Sequence, residues 1–435
     1  MSQGEGTMNL IKNLRSEKLI PFVLFLIILI NYIPIFRVNF VADSLSDGYS
    51  VTSKVMAICF VIELFLIVFF LFGRVKLKKN LVINFIILIV TTAILLLVQV
   101  KNYFSGNFQL YDLFNIACIF VNINVLFIAF TNLKTEEKYM SYFFVGILAI
   151  GLVACIVNVY LYKDYIITMI TTAKQISIRS FFAHRNQFSM FLFTAIVSNI
   201  MLILKSNKKS IKVLLFIPLI IFGLSLITTS SRTGIAATAL FIVLFFITTN
   251  SIKIRYKILI VCGLIAILIA TFVIAQNYYP DIMSKITDFV DNVLIRENTI
   301  KSFTGRDKFW KTAEEILQED SINMFFGVGR FQALNMLQYN VTHFHNFYVE
   351  ALMTGGIMEL VFFLFIHIYT VVRIMKSEID KKYKMLYLSM FLSLAVYGLF
   401  ETMGRFSLGY VDTLYLIFFI TIPLLHTNTY KKKYG

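Results

Sequence analysis

Apolar residues fill this chain in long runs that are separated by short polar or charged segments. A membrane-spanning helix needs ~20 predominantly apolar residues, and none of the runs alternates apolar and polar residues as a membrane β-strand would. The pattern therefore predicts an all-α integral membrane protein with about twelve transmembrane helices. The predicted spans are 19–36, 55–72, 81–100, 111–131, 140–161, 186–204, 211–228, 233–249, 256–276, 347–372, 384–403 and 408–427.

One polar stretch of 67 residues, 277–343, interrupts this pattern. It is far longer than the turns between the other spans. We expect a single membrane domain in three parts: helices 1–9 over 1–276, a helix-containing loop over 277–343, and an interfacial helix with helices 10–12 over 344–435.

Lysine and arginine predict the orientation of the chain, because cytoplasmic loops retain positive charge. With the N-terminus inside, 24 of the 40 basic residues fall in the cytoplasmic segments. Every short inner loop carries three or more of them, except the loop with Lys134 and Lys138. Both termini are therefore predicted to be cytoplasmic, and the long loop is predicted to be extracytoplasmic.

Composition agrees with this assignment and limits the function. Hydrophobic residues make up 58% of the chain, more than one soluble core of this length could hide. The net charge of +16 is explained by basic clusters that meet anionic lipid headgroups. No basic soluble segment interleaved with aromatic residues is present to bind nucleic acid. The lipid bilayer is therefore a predicted partner and nucleic acid is not; we expect neither a metal site nor a cofactor.

A tight turn after the seventh span, Thr229 to Gly234, places Arg232 beside the N-terminus of the next helix. Helix N-termini offer unpaired N–H groups and a positive dipole, which suit an anion. The planar guanidinium of Arg232 adds two parallel hydrogen bonds to a phosphate. An arginine that snorkels to the lipid headgroups is equally consistent with the turn.

Two further outer segments present arginine. In the long loop, Thr304 and Asp307 are typical of a helix start, so Arg306 projects from a first helical turn. His184 and Arg185 stand where the sixth span begins. An ordinary surface arginine on a solvated loop is the alternative reading of Arg306.

His345 and Asn346 directly follow the long loop, and a pair of glycines stands at 355 and 356. We predict a short, shallow helix from His345 to Thr354 that hinges at these glycines. Asn346 and Glu350 would share one face of it, and a histidine at a first helical turn is suited to accept a proton. A polar interfacial anchor is the alternative.

Glu401 lies near the outer end of the eleventh span, close to Arg405. Charged groups in membrane helices usually face a cavity or a partner. An ion pair of Glu401 and Arg405 that lines the site and a purely structural pair are both consistent with this position.

The order of these motifs resembles the O-antigen ligase and polymerase superfamily, multispanning glycosyltransferases of bacterial surface polysaccharide assembly. The resemblance covers roughly residues 180–375. It rests on Ser231-Arg232 after the seventh span, Thr304-Gly305-Arg306 with Trp310 four residues on, Gly327-Val328-Gly329, and His345-Asn346 before a glycine-containing apolar helix.

The resemblance implies transfer of a glycan from undecaprenyl pyrophosphate to an acceptor hydroxyl, without a metal, at the outer face of a bacterial cytoplasmic (inner) membrane. Arg232 and Arg306 would hold the donor pyrophosphate, and His345 would be the general base or would orient the pyrophosphate. Substrate-binding roles are expected for Arg185, His184, Asn346, Glu350, Arg405 and Glu401.

Polymerases and ligases share this apparatus and differ in the acceptor. The chain contains 28 Lys and 12 Arg and is rich in Ile and Asn, which indicates an AT-rich genome, often that of a Gram-positive bacterium without lipopolysaccharide. We therefore predict a polymerase of capsule, exopolysaccharide or O-antigen, with a chain-length regulator and a flippase of the same pathway as expected partners. A ligase that transfers finished glycan to lipid or protein is the alternative. A flippase is the second alternative, although flippases are expected to have repeated halves and short outer loops.

Overall fold

The computed structural model describes residues 20–36, 45–72, 82–132, 137–249, 280–295, 306–336, 344–401 and 412–422, with isolated residues between 255 and 277. These residues are helical and include no β-strand. The helices are α1 (Ile20–Tyr32), α2 (Leu45–Phe72), α3 (Val82–Phe104), α4 (Leu110–Asn132), α5 (Glu137–Thr172), α6 (Arg185–Lys205), α7 (Lys209–Thr228), α8 (Arg232–Thr248), α9 (Pro280–Phe289), α10 (Arg306–Glu319), α11 (Ser321–Phe326), α12 (Arg330–Met336), α13 (Phe347–Lys376), α14 (Lys381–Tyr397) and α15 (Asp412–Ile422). The 3-10 turn Ile33–Ile35 follows α1, and the π-helix Val290–Ile295 follows α9.

The chain divides into two compact units. The first unit consists of Met1–Ile147, Lys308–Ile379 and Gly398–Gly435. The second consists of Leu148–Asp307 and Asp380–Tyr397. Helices α5 and α10 cross from one unit into the other.

Five of the helices in the described residues are long and apolar enough to cross a membrane: Leu110–Phe130, Met140–Thr172, Arg185–Lys205, Lys209–Thr228 and Phe347–Lys376. Shorter apolar helices include Arg232–Thr248 and Asp412–Ile422. This content supports an all-α, multi-pass membrane protein. The predicted span 256–276 lies largely outside the described residues, and the total of twelve spans and the side of the termini stay predictions.

Helix α5 differs from the predicted span, which ends at residue 161. The helix continues to Thr172, and Tyr162 interrupts it with φ −125° and ψ 15°. The backbone therefore bends where the apolar run was expected to end, because the polar pair Lys163-Asp164 is followed by a second apolar stretch that continues the helix.

In the second unit, α6 packs against α7, α8 and α14. Its apolar side chains continue into the preceding segment, where the buried ring of Phe182 stacks on Phe188 with 5.4 Å between the ring centroids. Phe191 lies 5.3 Å from the same ring. This aromatic cluster fixes the segment that leads into α6.

In the first unit, α13 packs against α3, α11 and α12. A buried cluster lies between the apolar face of α10 and the residues before and within α13: Ala313, Ile316, Leu317, Val328, Ala333, Phe344 and Met353. The indole N–H of Trp310 donates to the carbonyl of Phe344 at 3.0 Å. The loop helix α10 is thereby attached to the start of α13.

The predicted bend in α13 is confirmed at Gly356, which has φ 69° and ψ −163°. The helix continues on both sides of this residue. A Cβ at Gly327 would lie 2.6 Å from the nitrogen of Gly356 and 2.7 Å from that of Gly355. The backbone N–H groups of Val328 and Gly329 donate to the carbonyls of Met353 and Thr354. The Gly-x-Gly segment thus lies directly against the backbone of the bend.

Candidate active site

The N-terminus of α6 is fixed by a reciprocal cap. Nδ1 of His184 accepts the N–H of Asn186 at 3.2 Å, while Oε1 of Gln187 accepts the N–H of His184 at 3.0 Å. Such a capping box satisfies N–H groups that the first turn leaves unpaired. The cap makes Arg185 the first residue of the helix.

The N-terminus of α8 is capped by a serine in a tight turn. The Ser231 hydroxyl accepts the N–H of Gly234 at 3.4 Å, and the Thr229 hydroxyl accepts the N–H of Ser231 at 3.1 Å. Ser230 adopts a left-handed conformation, with φ 52°. The predicted helix start is confirmed, and Arg232 is its first residue.

A buried hydroxyl network joins these two helix starts. The Ser231 hydroxyl donates to Oδ1 of Asn186 at 2.9 Å and lies 2.9 Å from the hydroxyl of Ser189. The Tyr397 hydroxyl donates to the carbonyl of Asn186 at 3.0 Å. Any side chain at Gly234 would collide with Ser189. The positive ends of α6 and α8 are therefore held together, with Arg185 and Arg232 at their first positions.

Arg306 is the first residue of α10 and lies in the same unit as Arg232. Burial lowers the pKa of Arg232, and the positive charge of Arg306 lowers it further. The charge of Arg306 thus acts on Arg232, and a bound anion would stabilise both charges. Thr304, the expected cap of α10, lies outside the described residues.

His345 lies in the first unit, two residues before α13 begins. It has φ 52°, and its Nδ1 lies 3.2 Å from Oε2 of Glu401. The side chain of Glu401 is 4% exposed and that of His345 is 20% exposed. In the tautomer in which Nδ1 donates to this buried carboxylate, the ring is held in one orientation and Nε2 is the proton acceptor. Glu401 therefore contacts His345, whereas Arg405 lies outside the described residues.

Asn346 and Glu350 hold the segment that carries His345. Oδ1 of Asn346 accepts the N–H groups of Tyr348 and Val349, so Asn346 caps α13 rather than lying within its first turn. Glu350 is buried, and its Oε2 accepts the N–H of Phe344 at 3.4 Å. The substrate-binding roles expected of both residues stay predictions.

Sequence reasoning missed Arg330, whose Nε lies 3.9 Å from Oε1 of Glu350. Arg330 directly follows the Gly-x-Gly segment. Glu350 was the residue that could have pointed to Arg330, because a buried carboxylate requires a cationic or hydrogen-bonding partner.

The two sets of side chains have complementary chemistry. Arginines at joined helix N-termini can bind a diphosphate and stabilise the charge of a leaving phosphate. A histidine oriented by a carboxylate can accept a proton from a hydroxyl.

Residues 217–366 match the family model described as O-antigen ligase. This O-antigen ligase match includes Arg232, Arg306 and His345, and it confirms the resemblance to the O-antigen ligase and polymerase superfamily that the motifs indicate. Arg185 and Glu401 lie on either side of the matched range. No curated protein matches the chain.

Proposed function

We propose that the chain is a glycosyltransferase that polymerises undecaprenyl-pyrophosphate-linked oligosaccharide repeat units into a surface polysaccharide. The reaction takes place at the outer face of the bacterial cytoplasmic membrane and requires no metal. One observation carries the proposal: Arg232 is the first residue of α8, whose N-terminus is joined to that of α6, and the charge of Arg306 acts on it. Such a site favours a multiply charged anion over a neutral ligand.

The proposed catalytic step uses the roles that the family resemblance implies for these side chains. The acceptor hydroxyl oxygen attacks the anomeric carbon of the donor sugar, and its proton passes to Nε2 of His345. The bond between the anomeric carbon and the phosphate oxygen breaks, and undecaprenyl pyrophosphate leaves with the electron pair. Arg232 and Arg306 stabilise the charge that develops on the leaving oxygen, while Glu401 stabilises the imidazolium that forms.

A ligase is the second candidate, because the matched family is described as O-antigen ligase. Deletion of the gene followed by analysis of lipid-linked and surface glycans separates the two. A polymerase deletion accumulates single lipid-linked repeats, whereas a ligase deletion accumulates long lipid-linked polymer. Unchanged surface glycan would contradict both.

Purified protein tests the reaction directly. Incubation with the single lipid-linked repeats of the deletion strain is expected to give a ladder of longer glycans. The ladder should persist in chelator, because two arginines replace the divalent cation that many glycosyltransferases use to neutralise a diphosphate. A strict Mg²⁺ requirement would refute the metal-independent mechanism and would leave the polymerase assignment intact.

A further inference from the structure

A small polar pocket lies in the first unit, where the Gly-x-Gly segment contacts α3, α4 and α13. Its volume is about 20 Å³, enough for one water-sized group. It is lined by Leu95, Val98, Gln99, Asp112, Asn115, Ile116, Gly329, Arg330 and Thr354.

Gly329 allows polar side chains to approach the backbone at this pocket. Its φ is +85°, and a Cβ there would lie 3.0 Å from Nδ2 of Asn102, 3.1 Å from Oδ2 of Asp112 and 3.3 Å from Nε2 of Gln99. Nδ2 of Asn102 donates to the carbonyl of Val328 at 2.9 Å. Polar groups from α3 and α4 are therefore gathered around a backbone without a side chain.

Gln99 indicates that the pocket takes a ligand. The residue is 5% exposed, and its Oε1 has no hydrogen-bond partner among the residues that the structure describes. A buried amide oxygen without a partner is costly, and native proteins pair such atoms with a protein group, a water or a ligand. Gln99 thus presents an unused acceptor at a pocket with room for one hydroxyl-sized group.

The charges around the pocket favour a neutral group. Asp112 is 4% exposed and contributes a carboxylate to the lining. Arg330 is more exposed than Asp112, with 28% of its side chain accessible, and its Nε lies 3.9 Å from Oε1 of Glu350, which opposes its charge. A phosphate would meet the carboxylates and a cation would meet Arg330, whereas a neutral hydroxyl can both donate and accept.

We propose that this pocket binds one hydroxyl group of the acceptor glycan and thereby selects the acceptor. The inference rests on the proposed function. Thr354 lies eight residues after Asn346 along α13, a rise of about 12 Å. An extended oligosaccharide can bridge that separation, with one hydroxyl at His345 and a second in the pocket. A site that pairs its buried polar group with a substrate hydroxyl rejects analogues that lack this hydroxyl.

Direct binding tests the pocket without requiring turnover. The probe is the repeat-unit oligosaccharide of the deletion strain, radiolabelled and released from its lipid, and dialysed against the full chain in nanodiscs. We expect Gln99→Met, which keeps the side-chain volume, to weaken binding about fivefold or more. The matched control is Gln318→Met on α10, because Gln318 is exposed and bonds Glu314 within its own helix.

Equal affinity of the wild-type chain and Gln99→Met would overturn the proposal, as would failure of the wild-type chain to bind the glycan. Asn115→Leu is the second pocket variant if Gln99→Met does not fold. Single O-methyl derivatives of the probe provide a specific readout. One O-methyl derivative should bind the wild-type chain more weakly than the unmodified probe does. The same derivative and the unmodified probe should bind Gln99→Met equally well. If Gln99 only held a structural water, methylation of one glycan hydroxyl would not give this pattern.

The outcome is separable from that of the proposed function. Chain growth is measured in parallel on the intact lipid-linked repeat. If binding depends on Gln99 but no polymer forms, the glycan pocket is supported and the polymerase assignment is refuted. Polymer formation with binding that is insensitive to Gln99 leaves the polymerase assignment and removes the pocket.

Discussion

Replacement of Arg306 by Ala should lower the activity of the protein and leave its stability nearly unchanged. The charge of Arg306 lowers the pKa of Arg232, and the loss of this one charge in the absence of donor should change the free energy of unfolding by no more than about 0.5 kcal/mol, the scale of a partly exposed charge pair. With donor, each arginine forms charge-assisted hydrogen bonds to pyrophosphate that contribute about 1.5–3 kcal/mol. The same substitution should therefore lower kcat/KM by about 10- to 150-fold.

Two measurements on the purified protein check this separation: thermal unfolding with and without inorganic pyrophosphate, and the rate of glycan ladder formation. Pyrophosphate should stabilise the wild-type chain by mass action and stabilise Arg306→Ala or Arg232→Ala much less. Lysine at either position should restore activity poorly, because it lacks the planar fork of donors. The control is Arg255→Ala, since Arg255 is exposed and lies over the Tyr256 ring.

Normal ladder formation by both Arg232→Ala and Arg306→Ala would refute the pyrophosphate site. A large loss of stability in the absence of pyrophosphate would instead show that the two arginines stabilise the fold rather than bind the donor.

Three further substitutions are predicted. Ser231→Ala removes a helix cap and leaves Asn186 without its hydroxyl donor, so unfolding experiments should show a loss of about 2 kcal/mol and glycan assays a loss of activity; wild-type values of both would contradict the joined helix starts. Glu401→Gln should lower kcat by about a hundredfold with little change in KM, because Glu401 orients His345 rather than binding substrate; a changed KM alone would point to substrate binding. Gly327→Ala should prevent stable folding, since its Cβ would meet the backbone of Gly356; a purified variant with wild-type melting behaviour would disprove that contact.

Local signals were sufficient for the helix starts. The tight turn from Thr229 to Gly234 predicted the start of α8, and the polar segment at His184 and Arg185 predicted the start of α6, because both signals lie within a few residues of the helix. The bend at Gly356 was also predictable, because two adjacent glycines interrupt an apolar helix. Arg232 and Arg306 were identified from the same local patterns and from the family resemblance.

Contacts between distant segments could not be predicted. Asn102 donates a hydrogen bond to the carbonyl of Val328, 226 residues later, and no sequence pattern in either segment predicts this contact. The pairing of Glu401 with His345 has the same origin, because the sequence offered Arg405 as the nearer partner. Hydropathy also hid the polar pocket, since Gln99 and Asn115 stand inside runs that read as ordinary membrane spans.

The contact between Gly327 and the bend at Gly356 has a mechanical consequence. The backbone of Gly327 lies directly against that of Gly356, and neither residue has a side chain that could move aside when the helix shifts. Straightening of α13 at Gly356 would push directly on Gly327 and, through it, on α11. We therefore expect α11 to move whenever α13 bends at Gly356, so a probe attached to α11 should report any bending of α13 during the reaction cycle.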